Sequence, residues 1–289
     1  MNAFIVGCSR SGTTLVQSML SAHPDYVSFP ETNILHHLFR DLDFRRYGLL
    51  IGPRRLPRIL CNKILHRCGF TRTRPGPLFD KWLASIGRED LRELVPASRR
   101  LRAIMSAFER ILDEVAGGKK TVEKTPQHVF CVDRLSRYFP DSCFIHVIRE
   151  PEANIASLMD AAARYEAFAS RFGGEQGLER AVAYWKGAIA MSARMRGRQN
   201  HVFLRYEDLA CSPLGALQPV ATVLGIEVSE DMLTYNIQNI TVEREAWKAR
   251  PNRTIERPTS KAGRLFDQKQ LQYIREHTQE VLRHFPSAL

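Results

Sequence analysis

The chain has 289 residues, 44% of them hydrophobic and 25% charged, an ordinary globular composition with room for one large α/β domain and its core. No stretch reaches the roughly 20 apolar residues of a membrane-spanning helix, which excludes that class of protein. Forty-two Lys and Arg against 31 Asp and Glu leave a formal charge of +11, so the partners expected are anionic: phosphates, sulfates, nucleic acids or anionic membranes.

Residues 3–6 (AFIV) are a short apolar run stopped by Gly7, the pattern of a buried parallel strand. From Thr13 the period changes: Leu15, Val16, Met19 and Leu20 recur at helical spacing until His23-Pro24. Residues 40–77 are rich in Arg, Pro and Gly, and the spacing predicts a basic, partly irregular insertion. Leu101, Ile104, Met105, Phe108, Ile111, Leu112 and Val115 mark an amphipathic helix over 98–116, closed by Gly117-Gly118. A short strand follows at Thr121-Val122 and ends in Glu123-Lys124-Thr125-Pro126. Residues 143–148 (CFIHVI) form another buried strand ending at Arg149, with Pro151 as the first residue of the next helix. Leu178, Val182, Trp185 and Ile189 mark a long helix, residues 201–206 a further strand, and residues 267–285 a terminal helix. Strands alternating with helices predict an α/β fold with a central parallel sheet flanked by helices, in a single domain spanning 1–289. The stretch 40–118 is expected to be a basic, partly helical insertion in that domain that contributes to acceptor binding.

The six cysteines form neither a CxxC pair nor a zinc-like cluster. With a first apolar run too short for a signal-peptide core, they read as reduced thiols in a cytosolic protein. His36, His37, His277 and His284 lack the spacing of a metal hydrolase, so no metal is expected.

The most informative segment is Gly7-Cys8-Ser9-Arg10-Ser11-Gly12-Thr13-Thr14. A loop between a strand's carboxyl end and a helix amino terminus gathers backbone N–H groups, and the helix dipole favours an anion there. Gly7, Gly12 and Thr14 match the nucleoside-triphosphate loop GxxxxGK[ST], but Thr13 replaces its lysine. That lysine reaches the β- and γ-phosphates, so its loss argues against ATP or GTP chemistry, and Arg10 supplies charge elsewhere in the loop.

The run Ser9-Arg10-Ser11-Gly12-Thr13-Thr14 resembles the 5′-phosphosulfate loop of sulfotransferases that use 3′-phosphoadenosine 5′-phosphosulfate (PAPS), and most closely the branch of tyrosylprotein sulfotransferases and their bacterial relatives. The resemblance implies a P-loop-like, three-layer fold in which Arg10, Ser11, Gly12, Thr13 and Thr14 grip the donor's 5′ end. Arg149-Glu150-Pro151 followed by Ser157 resembles the family's 3′-phosphate motif, although Glu150 and Glu152 depart from the usual Arg-Asp-Pro-Arg. Lys124 matches a strand-end lysine that stabilises the transition state near the bridging oxygen. Glu31, in Phe29-Pro30-Glu31-Thr32-Asn33, matches the catalytic glutamate of the tyrosylprotein branch. Tyr206 resembles a tyrosine that helps hold the nucleotide. Ser260, Lys261, Gly263 and Arg264 resemble a late basic glycine loop closing over the donor, with Thr254 as an alternative loop hydroxyl.

These matches imply a PAPS-dependent sulfotransferase that releases adenosine 3′,5′-bisphosphate without a metal. Its acceptor would be a small molecule, glycan, lipid or peptide, and nucleic acid is not expected as a partner. Contact with a membrane surface through the basic insertion stays open. Two other readings stay open at this point: a P-loop kinase using ATP, and a non-catalytic basic module that binds polyanions.

Overall fold

The computed structural model describes residues 1–39, 56–233 and 261–286. Its centre is a five-stranded parallel sheet in the order β2-β3-β1-β4-β5, formed by β1 (Ala3–Gly7), β2 (Tyr26–Ser28), β3 (Lys120–Lys124), β4 (Cys143–Ile148) and β5 (His201–Arg205). In register, Ile5 stands opposite Lys124 on one side of β1, and Gly7 opposite Val147 on the other.

Successive strand side chains point to opposite faces, and this alternation builds two cores. Phe4, Val6 and Phe144 enter the larger core with Phe108, Trp185 and Ile274. Ala3, Ile5, Cys143 and Ile145 enter the smaller one with Met19, Leu20 and Leu217. The three-layer α/β arrangement expected from the alternation of elements is what the chain adopts. The strands foreseen near residues 3, 121, 143 and 201 are β1, β3, β4 and β5.

The helices cover both faces. The smaller core is covered by α1 (Thr13–Ser21) and α11 (Pro213–Leu224). The larger is covered by α2 (Ile34–Phe39), α4 (Gly76–Ser85), α5 (Leu101–Ala116), α6 (Val132–Tyr138), α7 (Pro151–Arg164), α9 (Gly177–Ala193) and α13 (Gln268–Leu282). The remaining helices are α3 (Leu56–Arg67), α8 (Glu166–Phe172), α10 (Tyr206–Cys211) and α12 (Ala262–Leu265). Gly117 ends α5 in the left-handed conformation, and Pro151 opens α7 at a position where a missing N–H costs nothing.

The stretch expected as an insertion divides in two. Residues 40–55 lie outside the described residues. From α4 onward it is part of the main core: Phe79 and Phe108 have no exposed surface, and Trp82 packs edge-on against Phe29 with ring centroids 5.3 Å apart. Among the described residues, no helix is long and apolar enough to cross a membrane.

Candidate active site at the carboxyl edge of the sheet

Four neighbouring strands end at one edge, and each delivers a residue singled out from the sequence. β3 ends at Lys124, β1 opens into the loop after Gly7, β4 is followed by Arg149, and β5 by Tyr206. In open parallel sheets this edge is where ligands bind, because every helix that follows a strand starts there and points its amino terminus inward.

The loop after β1 is drawn tight. A Cβ on Gly7 would lie 2.6 Å from the Val147 carbonyl oxygen, and one on Gly12 would lie 2.3 Å from the Tyr206 ring. Both positions therefore require glycine. Arg10 adopts a φ of 71°, a left-handed conformation that costs a non-glycine residue on the order of 1 kcal/mol or more. The Ser11 N–H closes a turn on the Cys8 carbonyl at 3.2 Å. No side chain caps α1, so the helix itself supplies no acceptor for its first N–H groups. The hydroxyl of Ser11 is buried with no partner among the described residues. A tight loop, an uncapped helix start and an orphan hydroxyl fit an oxyanion of the phosphate or sulfate type.

Arg149 and Ser157 close on this loop from β4 and α7. An Arg149 terminal nitrogen donates to the Arg10 carbonyl at 2.8 Å, and its guanidinium lies 4.4 Å from the centre of the Tyr206 ring. Arg10 Nε donates to Ser157 Oγ at 3.3 Å. Arg10, Gly12, Arg149, Ser157 and Tyr206 thus share one site. Burial pulls the Arg149 guanidinium below the ordinary arginine range, against the pull of Tyr206, Glu207 and Cys8, and its Nε has no partner among the described residues. A half-buried cation in that state is stabilised by an anion.

The two departures from the family pattern have a structural use. Glu150 pairs with Arg205, and its backbone N–H donates to Glu207 Oε1 at 3.0 Å. Glu152 meets Arg275 of α13 at 2.7 Å. Both acids tie α7 to β5, α10 and α13. A cavity of about 430 Å³ there is lined by Glu150, Glu152 and Glu207 against the one cation Arg275, beside apolar and neutral residues, and this charge has the wrong sign for a nucleotide's phosphates.

On the other side of the loop, Lys124 Nζ meets Glu31 Oε1 at 2.5 Å, with the lysine side chain 1% and the glutamate 14% exposed. The register of β3 against β1 places this pair one strand from the loop. Thr13 is buried and Thr14 half-buried in the first turn of α1. The late segment behaves differently. Ser260 and Thr254 lie outside the described residues. Lys261 Nζ meets Asp160 of α7 at 2.5 Å, while Gly263 and Arg264 are exposed within the helical turn α12 instead of a loop. Lys261 is therefore held one turn beyond Ser157.

Three supports of the site were not foreseen from the sequence. Asn154 Nδ2 donates to the Ser9 carbonyl at 3.1 Å, Ser9 Oγ and Tyr184 Oη are 3.0 Å apart, and Trp185 Nε1 donates to the Arg149 carbonyl at 3.1 Å. Asn154 carried a signal: it falls one helical turn before Leu158 on the buried stripe of α7, where a polar residue needs a partner.

The sequence profile of the sulfotransferase family matches residues 2–230. Protein-tyrosine sulfotransferase 2 of Gallus gallus is 26% identical over 239 residues, which is 80% of this chain and 52% of that protein. The chain thus spans about half the length of this relative. The sulfotransferase domain of the Synechococcus PCC 7002 olefin synthase superposes with a TM-score of 0.61 at 21% identity, covering 100% of this chain and 95% of the other. Mouse sulfotransferase SULT7A1, solved with PAP, gives a TM-score of 0.54 at 13% identity over 98% of this chain and 84% of its own. By the extent of the profile match, with the fold in agreement, the chain belongs to the sulfotransferase family, whose common chemistry is sulfuryl transfer.

Proposed function

We propose that this protein transfers a sulfuryl group from PAPS to a hydroxyl acceptor by in-line displacement, with Glu31 as general base. The observation that carries the reading is the convergence of Arg10, Arg149, Ser157 and Tyr206 on one tight loop. Its orphan hydroxyl and the half-buried Arg149, whose Nε has no partner among the described residues, suit a ligand with two anionic ends. The mouse neighbour solved with PAP supports the choice of nucleotide.

Each residue has a role that its chemistry allows. The donor supplies the activated sulfuryl group, and the nucleotide product is adenosine 3′,5′-bisphosphate. Ser11, Thr13, Thr14 and the loop N–H groups would hold the 5′ end, while Arg149 and Ser157 would hold the 3′-phosphate. Tyr206 would pack beside the nucleotide. Arg10 and Lys124 would offset negative charge that builds on the oxygens as the bond to sulfur breaks. Glu31 would accept the acceptor's proton, and Lys124, 2.5 Å away, fixes the direction of that carboxylate. Lys261 approaches from α12 and is assigned to the outer wall of the donor site, with Ser260, Gly263 and Arg264 beside it in sequence. Positioning and fixed charge carry the catalysis in this scheme.

The acceptor class is open among phenols, tyrosine peptides, glycans and lipids, and the avian relative places tyrosine peptides in the test panel. The free state of all six cysteines supports a reducing, cytosolic setting. The test is transfer of radiolabelled sulfate from PAPS to that panel, with thermal shifts by PAPS, adenosine 3′,5′-bisphosphate and Mg-ATP alongside. Labelled product and a shift by both PAPS and adenosine 3′,5′-bisphosphate are expected. A shift by Mg-ATP alone would point to a kinase, and salt-sensitive polyanion binding without transfer would point to a binding module.

A further inference from the structure

Behind the Glu31–Lys124 pair lies a buried carboxylate that the proposed chemistry does not use. Glu123 has no exposed surface. Its Oε1 accepts from the hydroxyls of Thr32 at 2.9 Å and Thr125 at 2.7 Å, and its Oε2 accepts from His128 Nδ1–H at 2.9 Å. Thr125 Oγ1 in turn accepts the backbone N–H of Asn33 at 3.3 Å. Asn33 has a φ of 55°, left-handed and unusual for a residue other than glycine.

The contacts form a pattern. Three consecutive residues at the end of β3 grip three consecutive residues of the turn before α2. Lys124 meets Glu31, Glu123 meets Thr32, and Thr125 meets Asn33. Because successive strand residues face opposite ways, Lys124 reaches the ligand edge while Glu123 reaches behind it. One carboxylate thereby joins both ends of the clasp. Burial alone would push the Glu123 carboxyl up. The charge and hydrogen bond of His128 and the bonds from Thr125 and Thr32 outweigh burial, and the net direction is down. A buried anion so fully served by donors is a rigid anchor, since moving any donor away exposes an unpaired charge.

We infer that Glu123, with Thr32, Thr125 and His128, is a positioning residue that locks the Glu31–Asn33 turn to the end of β3 and so holds Glu31 in its working direction. The inference rests on Glu31 being the base. Nothing in it requires Glu123 to touch substrate, and its burial forbids such contact.

The experiment compares wild type, Glu31→Gln, Thr125→Val and Thr125→Ser, with Thr32→Val and Thr32→Ser as a second set should Thr125→Val fail to fold. Turnover, affinity for adenosine 3′,5′-bisphosphate by calorimetry, and amide hydrogen exchange across residues 31–33 are read on each. Thr125→Val is expected to lower kcat about 10-fold or more, as a displaced catalytic group does, while nucleotide affinity stays within about twofold. Exchange at Asn33 should speed up in the valine variant and return to the wild-type rate in the serine variant, along with kcat. A Thr125→Val enzyme with wild-type kcat and Asn33 exchange would overturn the inference. So would valine and serine variants that fall equally. Loss of activity in Glu31→Gln with full activity in Thr125→Val removes the positioning role alone. Full activity in Glu31→Gln removes the base assignment on which it rests. The exchange result decides whether the clasp exists in either case.

Discussion

At the residue scale, the account makes Glu31 and Lys124 the groups most sensitive to substitution. Glu31→Gln and Lys124→Ala should each lower turnover by roughly 10²-fold or more, with a smaller change in nucleotide affinity. Steady-state kinetics beside calorimetry checks this, and near-normal turnover in either variant contradicts its assigned role. Gly12→Ala tests the loop. The new methyl meets the Tyr206 ring at 2.3 Å from a backbone with φ of 99°, so the variant should lose nucleotide affinity at least 10-fold, and a spectrum close to wild type would confirm that the fold survives.

Much of the site was legible at this scale because its chemistry demands particular residue types. Arg10, Gly12, Arg149, Ser157, Tyr206 and the pair Glu31–Lys124 were chosen from sequence, and the fold gathers them in two adjoining groups. Their donor and base roles await the kinetics. Asn154 and Tyr184 escaped notice, and Trp185 was read only as part of its helix's apolar stripe, because they support backbone carbonyls and a loop hydroxyl through contacts far apart in sequence. Glu123 escaped because it was read as a flank of Lys124. Only the three-dimensional crossing of β3 with the Glu31 turn shows its carboxylate serving Thr32, Thr125 and His128.

At the element scale, periodicity did well where elements are long and one-faced. α5 emerged over Leu101–Ala116, a little shorter than the 98–116 read from its apolar stripe, because Arg100 is extended. β2 was missed: three residues, Tyr26–Ser28, carry no measurable period, and only pairing with β3 makes them a strand. The Lys261–Arg264 stretch was expected as a loop from its resemblance to the family's late basic glycine loop, yet Gly263 sits in a helical turn with open space around it. A glycine there is tolerated without being required. Two stability tests belong here. Phe108→Ala empties the centre of the larger core and should cost about 3–5 kcal/mol in denaturant unfolding. Asp267 and Gln270 form a capping box at the start of α13, and Asp267→Ala should cost about 1 kcal/mol.

At the scale of the whole molecule, two histidines couple stability to pH. His146 Nε2 and His201 Nδ1 lie 2.9 Å apart in the core between β4 and β5, and His146 Nδ1 lies 2.9 Å from Ser192 Oγ. Burial, and then His201, hold His146 well below the usual histidine range. Burial, and then Arg198, lower His201 from 6.5 to about 4. Both groups fold neutral, so the unfolded chain binds more protons once the pH drops below 6.5. Their effect on stability is therefore nil above that pH. Below it, stability falls by up to about 1.4 kcal/mol per pH unit for each histidine, and the loss from His201 levels off near pH 4. Urea unfolding at pH 7.5, 6 and 5 should trace this fall, and a flat profile would contradict it.

The alternation of strands and helices was enough to foresee the α/β fold, and the overall charge of +11 to expect an anionic partner. They were not enough to name an acceptor, because residues 76–118 spend their largest side chains on the core instead of on a pocket. The central claim is that the loop after β1, Arg149 and Ser157 hold the two anionic ends of one nucleotide. Titration calorimetry of the intact protein with adenosine 3′,5′-bisphosphate and with adenosine 5′-monophosphate, repeated on Arg149→Ala, tests it most directly. The account predicts that wild type prefers the bisphosphate by about 10-fold or more, as charge-assisted contacts to one phosphate allow, and that the preference disappears in Arg149→Ala. Equal affinity for the two nucleotides in wild type, or a preference that survives the loss of Arg149, would contradict it.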